Sequence, residues 1–246
     1  MSEKVILSQI SRKRLQKDII EIMKYPLSEH GIYYIHDHNN MLKGYAIIFG
    51  PCDTIYRYGA YCFQFDFPSD YPFSPPKLTY LTNDGTTRFH PNLYRNGKVC
   101  ISILNTWKGE QWTSCQSIKT VLLTLVTLFH NKPLLNEPGF RETHRSFKPY
   151  NKIITYKNLE IAVLRTLNTE NIDKYMGPCK IFKSIYNEYI IKNKDNLLKY
   201  IEILKNKYEN KKEKKYIVTV YNMNYSFDYN TLETNFKKQL SLLKLK

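Results

Sequence analysis

Residues 88–104 read RFHPNLYRNGKVCISIL, with His90, Pro91 and Asn92 in succession and Cys100 eight residues beyond the Asn. A thiol is both a nucleophile and a good leaving group near neutral pH, so Cys100 can accept an acyl group and hand it on. The side-chain amide of Asn92 suits two roles, stabilising the oxyanion formed at each transfer or holding the loop in shape. Sequence leaves both open. The stretch points to acyl transfer through a thioester.

Upstream, the pattern is one of strands and turns. Ile32–Ile35 ends at the turn-forming Asp37-His38-Asn39-Asn40, and Tyr45–Phe49 ends at Gly50-Pro51. Tyr61–Phe67 alternates, which predicts Phe63, Phe65 and Phe67 on one core face. Lys77–Leu81 is a fourth short strand after DYPFSPP, whose Pro72, Pro75 and Pro76 preset a stiff, extended connection. Earlier still, residues 8–24 predict a helix. Its expected inward stripe is Ile10, Leu15, Ile19, Ile22 and Met23, its outward face Arg12, Lys13, Arg14 and Lys17, and Pro26 limits its end.

Downstream, Thr113 and Gln116 have capping-box spacing ahead of an apolar segment that reaches His130. Ile118, Val121, Leu122, Leu125, Val126, Leu128 and Phe129 cover much of its circumference, so this helix is expected beneath the sheet. The whole predicts an α+β fold: an N-terminal helix, a four-stranded antiparallel meander and a buried central helix. The character changes near residue 150, giving a catalytic core over 1–150 and a mostly helical extension over 151–246. In the extension, 156–167 and 181–208 have helical spacing, 216–221 reads as a strand, and 229–245 as a final helix.

Composition narrows the classes. A chain of 246 residues with 42% hydrophobic content can bury one substantial core. No apolar run approaches the ~18 residues a spanning helix needs, and the N-terminus lacks a signal-peptide block, so a non-membrane, cytoplasmic or nuclear protein is expected. The five cysteines, 52, 62, 100, 115 and 179, are odd in number without CxxC spacing. That argues against a disulfide framework and a zinc site. The net charge of +15 comes from 18 basic against 12 acidic side chains before residue 151 and 19 against 10 after it. Only Lys211, Lys212, Lys214 and Lys215 cluster tightly, which fits a solvated helix face better than a nucleic-acid groove.

The ordered set GPCDTIYRYGAY, FDFPSDYPFSPPK, HPN, NGKVC, tryptophan, apolar helix and NEPGF resembles a ubiquitin-conjugating enzyme across residues 8–147. Trp107 and Trp112 flank KGEQ in a long loop after the cysteine, and a helical tail follows, as in the Z class of that family.

The resemblance implies that Cys100 takes the C-terminal glycine of ubiquitin, or of a similar modifier, from an activating enzyme and passes it to a lysine of a protein substrate. Asn92 would assist, while His90 and Pro91 would support the loop without proton transfer by His90. Arg12, Lys13, Arg14 and Lys17 would meet the activating enzyme. Phe73, Trp112, Thr113 and Ser114 would meet a ligase. No cofactor and no metal are implied. In much of the family an acidic residue or Ser near the cysteine prepares the incoming lysine; here the segment reads HNKPLLNEP, leaving Asn136, Glu137 or a partner.

Three other readings compete. A cysteine hydrolase needs a base paired with the thiol, and no local motif pairs another His with Cys100. A basic nucleic-acid-binding protein could use the 21 tyrosines as stacking platforms. A catalytically weak scaffold variant would usually lack the nucleophile, yet Cys100 and Asn92 are both present. Cys115 is a rival thiol because it is expected in the first turn of the central helix, where the helix N-terminus favours a thiolate.

Overall fold

The computed structural model describes residues 8–168, 172–208 and 215–243. Lys211, Lys212 and Lys214 of the basic cluster lie outside the described residues, as do residues 244 and 245 at the end of the expected final helix.

Helix α1, Gln9–Lys24, starts where the Ser8 hydroxyl accepts the Ser11 amide at 3.0 Å, satisfying an orphan donor of the first turn. It ends before Pro26, as expected. Its packed face differs from the expected stripe: Ser11, Leu15, Asp18 and Ile22 are buried, whereas Ile10 and Met23 are 66% and 74% exposed. Two polar residues take part in the buried stripe because each has partners. Ser11 bonds Ser8, and Asp18 accepts from Arg14 at 2.9 Å and from the Tyr71 hydroxyl.

Four strands form an antiparallel sheet in chain order: β1 Ile32–His36, β2 Lys43–Phe49, β3 Ala60–Asp66 and β4 Lys77–Tyr80. The register opposes Ile48 to Tyr61 and Phe63 to Tyr80, so Ala46, Ile48, Tyr61, Phe63, Phe65, Leu78 and Tyr80 share one buried face. Phe67 joins them, its ring 6.0 Å from that of Phe65. Helix α2, Ile118–Val126, packs against α1 and is shorter than expected. The chain turns out of the helix after Val126, and Phe129 stacks on Tyr61 with ring centroids 4.3 Å apart. The capping box is Ser117 with Thr120, not Thr113 with Gln116; the Gln116 side chain instead accepts the Thr113 amide within the preceding loop.

Helix α3, Phe147–Lys157, crosses residue 150 and runs on as a π-helical segment, Asn158–Arg165. After it come α4 Ile172–Met176, a 3-10 segment Gly177–Phe182, and α5 Lys183–Tyr208. The residues over 216–221 are not one strand. They form β5 Tyr216–Val218 and a 3-10 turn Thr219–Tyr221, which leads into the unexpected β6 Met223–Tyr225. Helix α6, Tyr229–Leu243, packs on α5.

This extension covers the second face of the sheet. Ile47, Phe49 and Cys62, on the face opposite Tyr61, are buried, and Phe49 stacks on Tyr189 of α5 at 4.0 Å. A buried Asn158 also ties the extension to Tyr61: it accepts the Tyr61 hydroxyl at 2.6 Å and donates to the Arg57 carbonyl at 2.8 Å. Gly59 permits that approach, since a Cβ there would lie 2.0 Å from the Asn158 amide oxygen. Among the described residues no helix is long and apolar enough to cross a membrane.

Candidate active site

Between β4 and α2 the chain is mostly irregular and is shaped by its own polar groups. The Asn92 backbone amide donates to Nδ1 of His90 at 3.0 Å. A backbone N–H can only donate, so Nδ1 is unprotonated and the neutral ring carries its proton on Nε2. Burial pushes the His90 pKa well below its ordinary value, and His130 and Arg88 add to the shift. His90 is therefore a neutral brace at physiological pH, unsuited to proton transfer.

Asn92 and Cys100 clasp each other. The Asn92 side-chain amide donates to the Cys100 carbonyl at 2.5 Å, and the Cys100 amide donates to the Asn92 carbonyl at 2.9 Å. Of the two roles open from sequence, this geometry displays the loop-holding one. The Cys100 thiol donates to the Thr106 carbonyl at 2.6 Å, and the Thr106 hydroxyl accepts the Ile101 amide at 3.0 Å while its own hydrogen is shared between the Val99 and Ile101 carbonyls at 3.1 and 3.0 Å. Thr106 thus fixes the segment after Cys100, a role that no spacing in the sequence announces.

A groove of about 550 Å³ is lined by Val99, Leu104 and Thr106 together with Pro75, Lys77 and Leu78. Val99 and Thr106 bring this groove close to Cys100, but Cys100 itself is buried at 3% exposure and does not line it. Arg88, also unanticipated, donates to the His90 carbonyl at 3.2 Å and the Pro91 carbonyl at 2.5 Å, holding two successive peptide groups ahead of Asn92.

The two proposed docking surfaces are less uniform than the sequence suggests. Arg12, Lys13 and Lys17 are exposed on α1, but Arg14 is half-buried. Its guanidinium donates to Asp18, to the Ser114 carbonyl and to the Gln116 carbonyl at 2.5 Å, so it ties α1 to the loop before α2. Phe73 is 67% exposed, and Thr113 and Ser114 are exposed. Trp112 is not: it is 7% exposed, its indole N–H donating to the Pro72 carbonyl at 2.7 Å. A buried indole needs a hydrogen-bond partner, and here that need pins the tryptophan loop to the Pro-rich loop. Cys115 lies in the loop ahead of α2, outside the helix, and is exposed.

The candidates for preparing the acceptor amine are engaged. The Asn136 side-chain oxygen pairs with Nε2 of His130 at 3.0 Å, and Glu137 accepts the Tyr221 hydroxyl at 2.5 Å. Lys132, in the same segment, pairs with Glu142 at 2.5 Å. Among the described residues no cluster of three or more His, Cys, Asp or Glu side chains could hold a metal ion.

Comparison with known proteins finds relatives of this chain. A family model described as Ubiquitin-conjugating enzyme matches residues 14–156. Ubiquitin-conjugating enzyme E2 Z of Xenopus tropicalis is 41% identical over 157 residues, covering 63% of this chain and 50% of that protein. The Homo sapiens E2 Z is 37% identical over 198 residues, covering 75% of this chain and 53% of that protein. The solved structure of human ubiquitin-conjugating enzyme E2 G1 aligns at 30% identity with a TM-score of 0.44, covering 50% of this chain and 98% of that one. The chain spans about half the length of these E2 Z relatives. By the family match over residues 14–156, which takes in His90, Asn92 and Cys100, this chain belongs to the ubiquitin-conjugating enzyme family and is Z-like in sequence.

Proposed function

We propose that the chain carries ubiquitin, or a ubiquitin-like modifier, as a thioester on Cys100 and transfers it to a lysine amine of a protein substrate. The observation that carries this is Cys100, clasped through its backbone by Asn92 in the loop that follows His90, within a chain of the ubiquitin-conjugating family. In the first step the Cys100 sulfur attacks the modifier's C-terminal carbonyl in the thioester of an activating enzyme. The activating enzyme's sulfur leaves, and the Cys100 proton passes to solvent or to that sulfur. In the second step a neutral lysine amine attacks the new thioester, the Cys100 sulfur leaves, and the amine loses a proton to give an amide.

Arg12, Lys13 and Lys17 offer the exposed cationic face for the activating enzyme, with Arg14 as the link behind it. Phe73, Thr113 and Ser114 form the surface for a ligase, held in shape by Trp112. Cytoplasm or nucleus is the proposed location, tested by fluorescence microscopy of the tagged chain. The nucleic-acid reading loses support because Tyr150, Tyr186, Tyr208, Tyr216 and Tyr229 are packed inside the protein, where they cannot stack on bases.

The test is incubation with activating enzyme, ATP and modifier, followed by gels with and without reductant. A reductant-sensitive adduct is expected on wild type, none on Cys100→Ala, and a slowly turning-over oxyester on Cys100→Ser. A thioester that persists on Cys100→Ala sinks the assignment.

A further inference from the structure

The turn between β5 and β6 reaches back from the extension to the loop that carries His90 and Asn92. Tyr221 makes two contacts with that loop and one with the segment after α2, each with a different part of the residue. Its ring lies 5.3 Å from the Arg88 guanidinium, whose other neighbour is the Tyr94 ring at 3.4 Å. Its carbonyl accepts from the Arg95 guanidinium. Its hydroxyl donates to Glu137 at 2.5 Å. The neighbouring residues reinforce the seat: Met223 sulfur accepts the Arg88 amide at 3.3 Å, and the Tyr225 hydroxyl donates to Thr86 at 2.9 Å.

Arg88 is the link to chemistry. Its guanidinium bonds the carbonyls of His90 and Pro91, the two residues before Asn92. A planar guanidinium flanked by aromatic rings keeps a fixed orientation, because rotation would lose ring contact and hydrogen bonds together. Tyr94 belongs to the loop itself, whereas Tyr221 is supplied by the extension. Tyr221 also joins the loop before Cys100 to the segment after α2 through Glu137, a second tie beside the His90–His130 ring contact of 6.2 Å.

We propose that Tyr221 is a positioning residue for the transfer reaction: through Arg88 it sets the orientation of the His90–Asn92 loop, and so makes the C-terminal hairpin part of the active-site scaffold. The proposal rests on the thioester-transfer function above. It also gives residues 215–225 a task separate from burying the extension's core. Acting at a distance of one side chain, Tyr221 alters how Asn92 and Cys100 are held without touching the modifier.

The test combines discharge of preformed thioester to free lysine with peptide-level hydrogen exchange over residues 86–100, both on the full chain. For Tyr221→Ala, the maximal discharge rate is expected to fall about tenfold or more, at an unchanged half-saturating lysine concentration. Exchange over 86–100 is expected to accelerate. Tyr221→Phe keeps the ring and the backbone carbonyl, so it should restore most of the discharge rate and the slow exchange. Ile201→Ala, in the buried stripe of α5, lowers stability without touching the loop and should leave discharge unchanged.

Wild-type discharge from Tyr221→Ala with unaltered exchange overturns the proposal, as does a rate that merely tracks melting temperature across the Tyr221 and Ile201 variants. Phe failing to rescue overturns the Arg88 route. Absence of any thioester on wild type refutes the proposed function instead, and the exchange measurement still reports whether Tyr221 braces the loop.

Discussion

Asn92 and Cys100 are joined in both directions, side-chain amide to carbonyl at 2.5 Å and backbone amide to carbonyl at 2.9 Å. Asn92→Ala removes the first bond and leaves the Cys100 carbonyl short of a donor. It is expected to cost about 1–2 kcal/mol of stability in urea unfolding. It should still charge with modifier, while discharge to lysine slows about 100-fold if its amide also meets the oxyanion. Normal discharge together with the stability loss would leave Asn92 with the loop-holding role alone.

His90 supplies a pH signature. The folded protein holds its ring neutral, with a pKa well below the ordinary 6.5, because burial, His130 and Arg88 all disfavour the cation. The unfolded chain therefore binds the proton more readily. By linkage, stability is full above about 6.5 and falls as the pH drops below it. His90→Asn, which keeps an acceptor for the Asn92 amide, should show a shallower loss between pH 6.5 and 5 in parallel urea titrations. Equal slopes would refute a buried neutral His90.

Trp112 and Phe73 should separate cleanly. Trp112→Phe loses the donor to the Pro72 carbonyl and is expected to destabilise by about 1–2 kcal/mol. Phe73→Ala, at an exposed position, should change stability by less than about 0.5 kcal/mol yet weaken ligase-dependent discharge. Urea unfolding beside discharge assays with and without ligase decides this. A Phe73 variant as unstable as the Trp112 variant contradicts the assignment of roles.

Asn158 ties the extension to β3. Asn158→Ala strands the Tyr61 hydroxyl and the Arg57 carbonyl, so a loss of about 2–4 kcal/mol is expected in urea unfolding. A loss below about 0.5 kcal/mol would mean that water or a shifted neighbour satisfies both groups.

Cys100 as a candidate nucleophile and the elements around it are legible because their pattern is local. HPN, eight residues and a thiol lie along one short stretch, and the strands around it carry alternation that needs no partner to be seen. The inward face of α1 was misread at Ile10 and Met23 because its buried positions include Ser11 and Asp18. Those positions are tolerable only through partners, Ser8 nearby and Tyr71 more than fifty residues away. Trp112 read as a contact aromatic since exposure depends on whether an acceptor, here Pro72, waits across the fold.

Residue identity by itself determined which atom can carry an acyl group, which amide stands near it, and that an α+β sheet and helix would hold them. Tertiary structure decided which charges remain free and which are bonded inside, since Arg12, Lys13 and Lys17 face outward while Arg14 is spent on carbonyls at the start of the α2 loop. It also decided that Tyr221, more than a hundred residues after Cys100, stands against Arg88. Hydrophobic periodicity reports which side of an element is buried, but the partner it meets is set by packing over the whole chain.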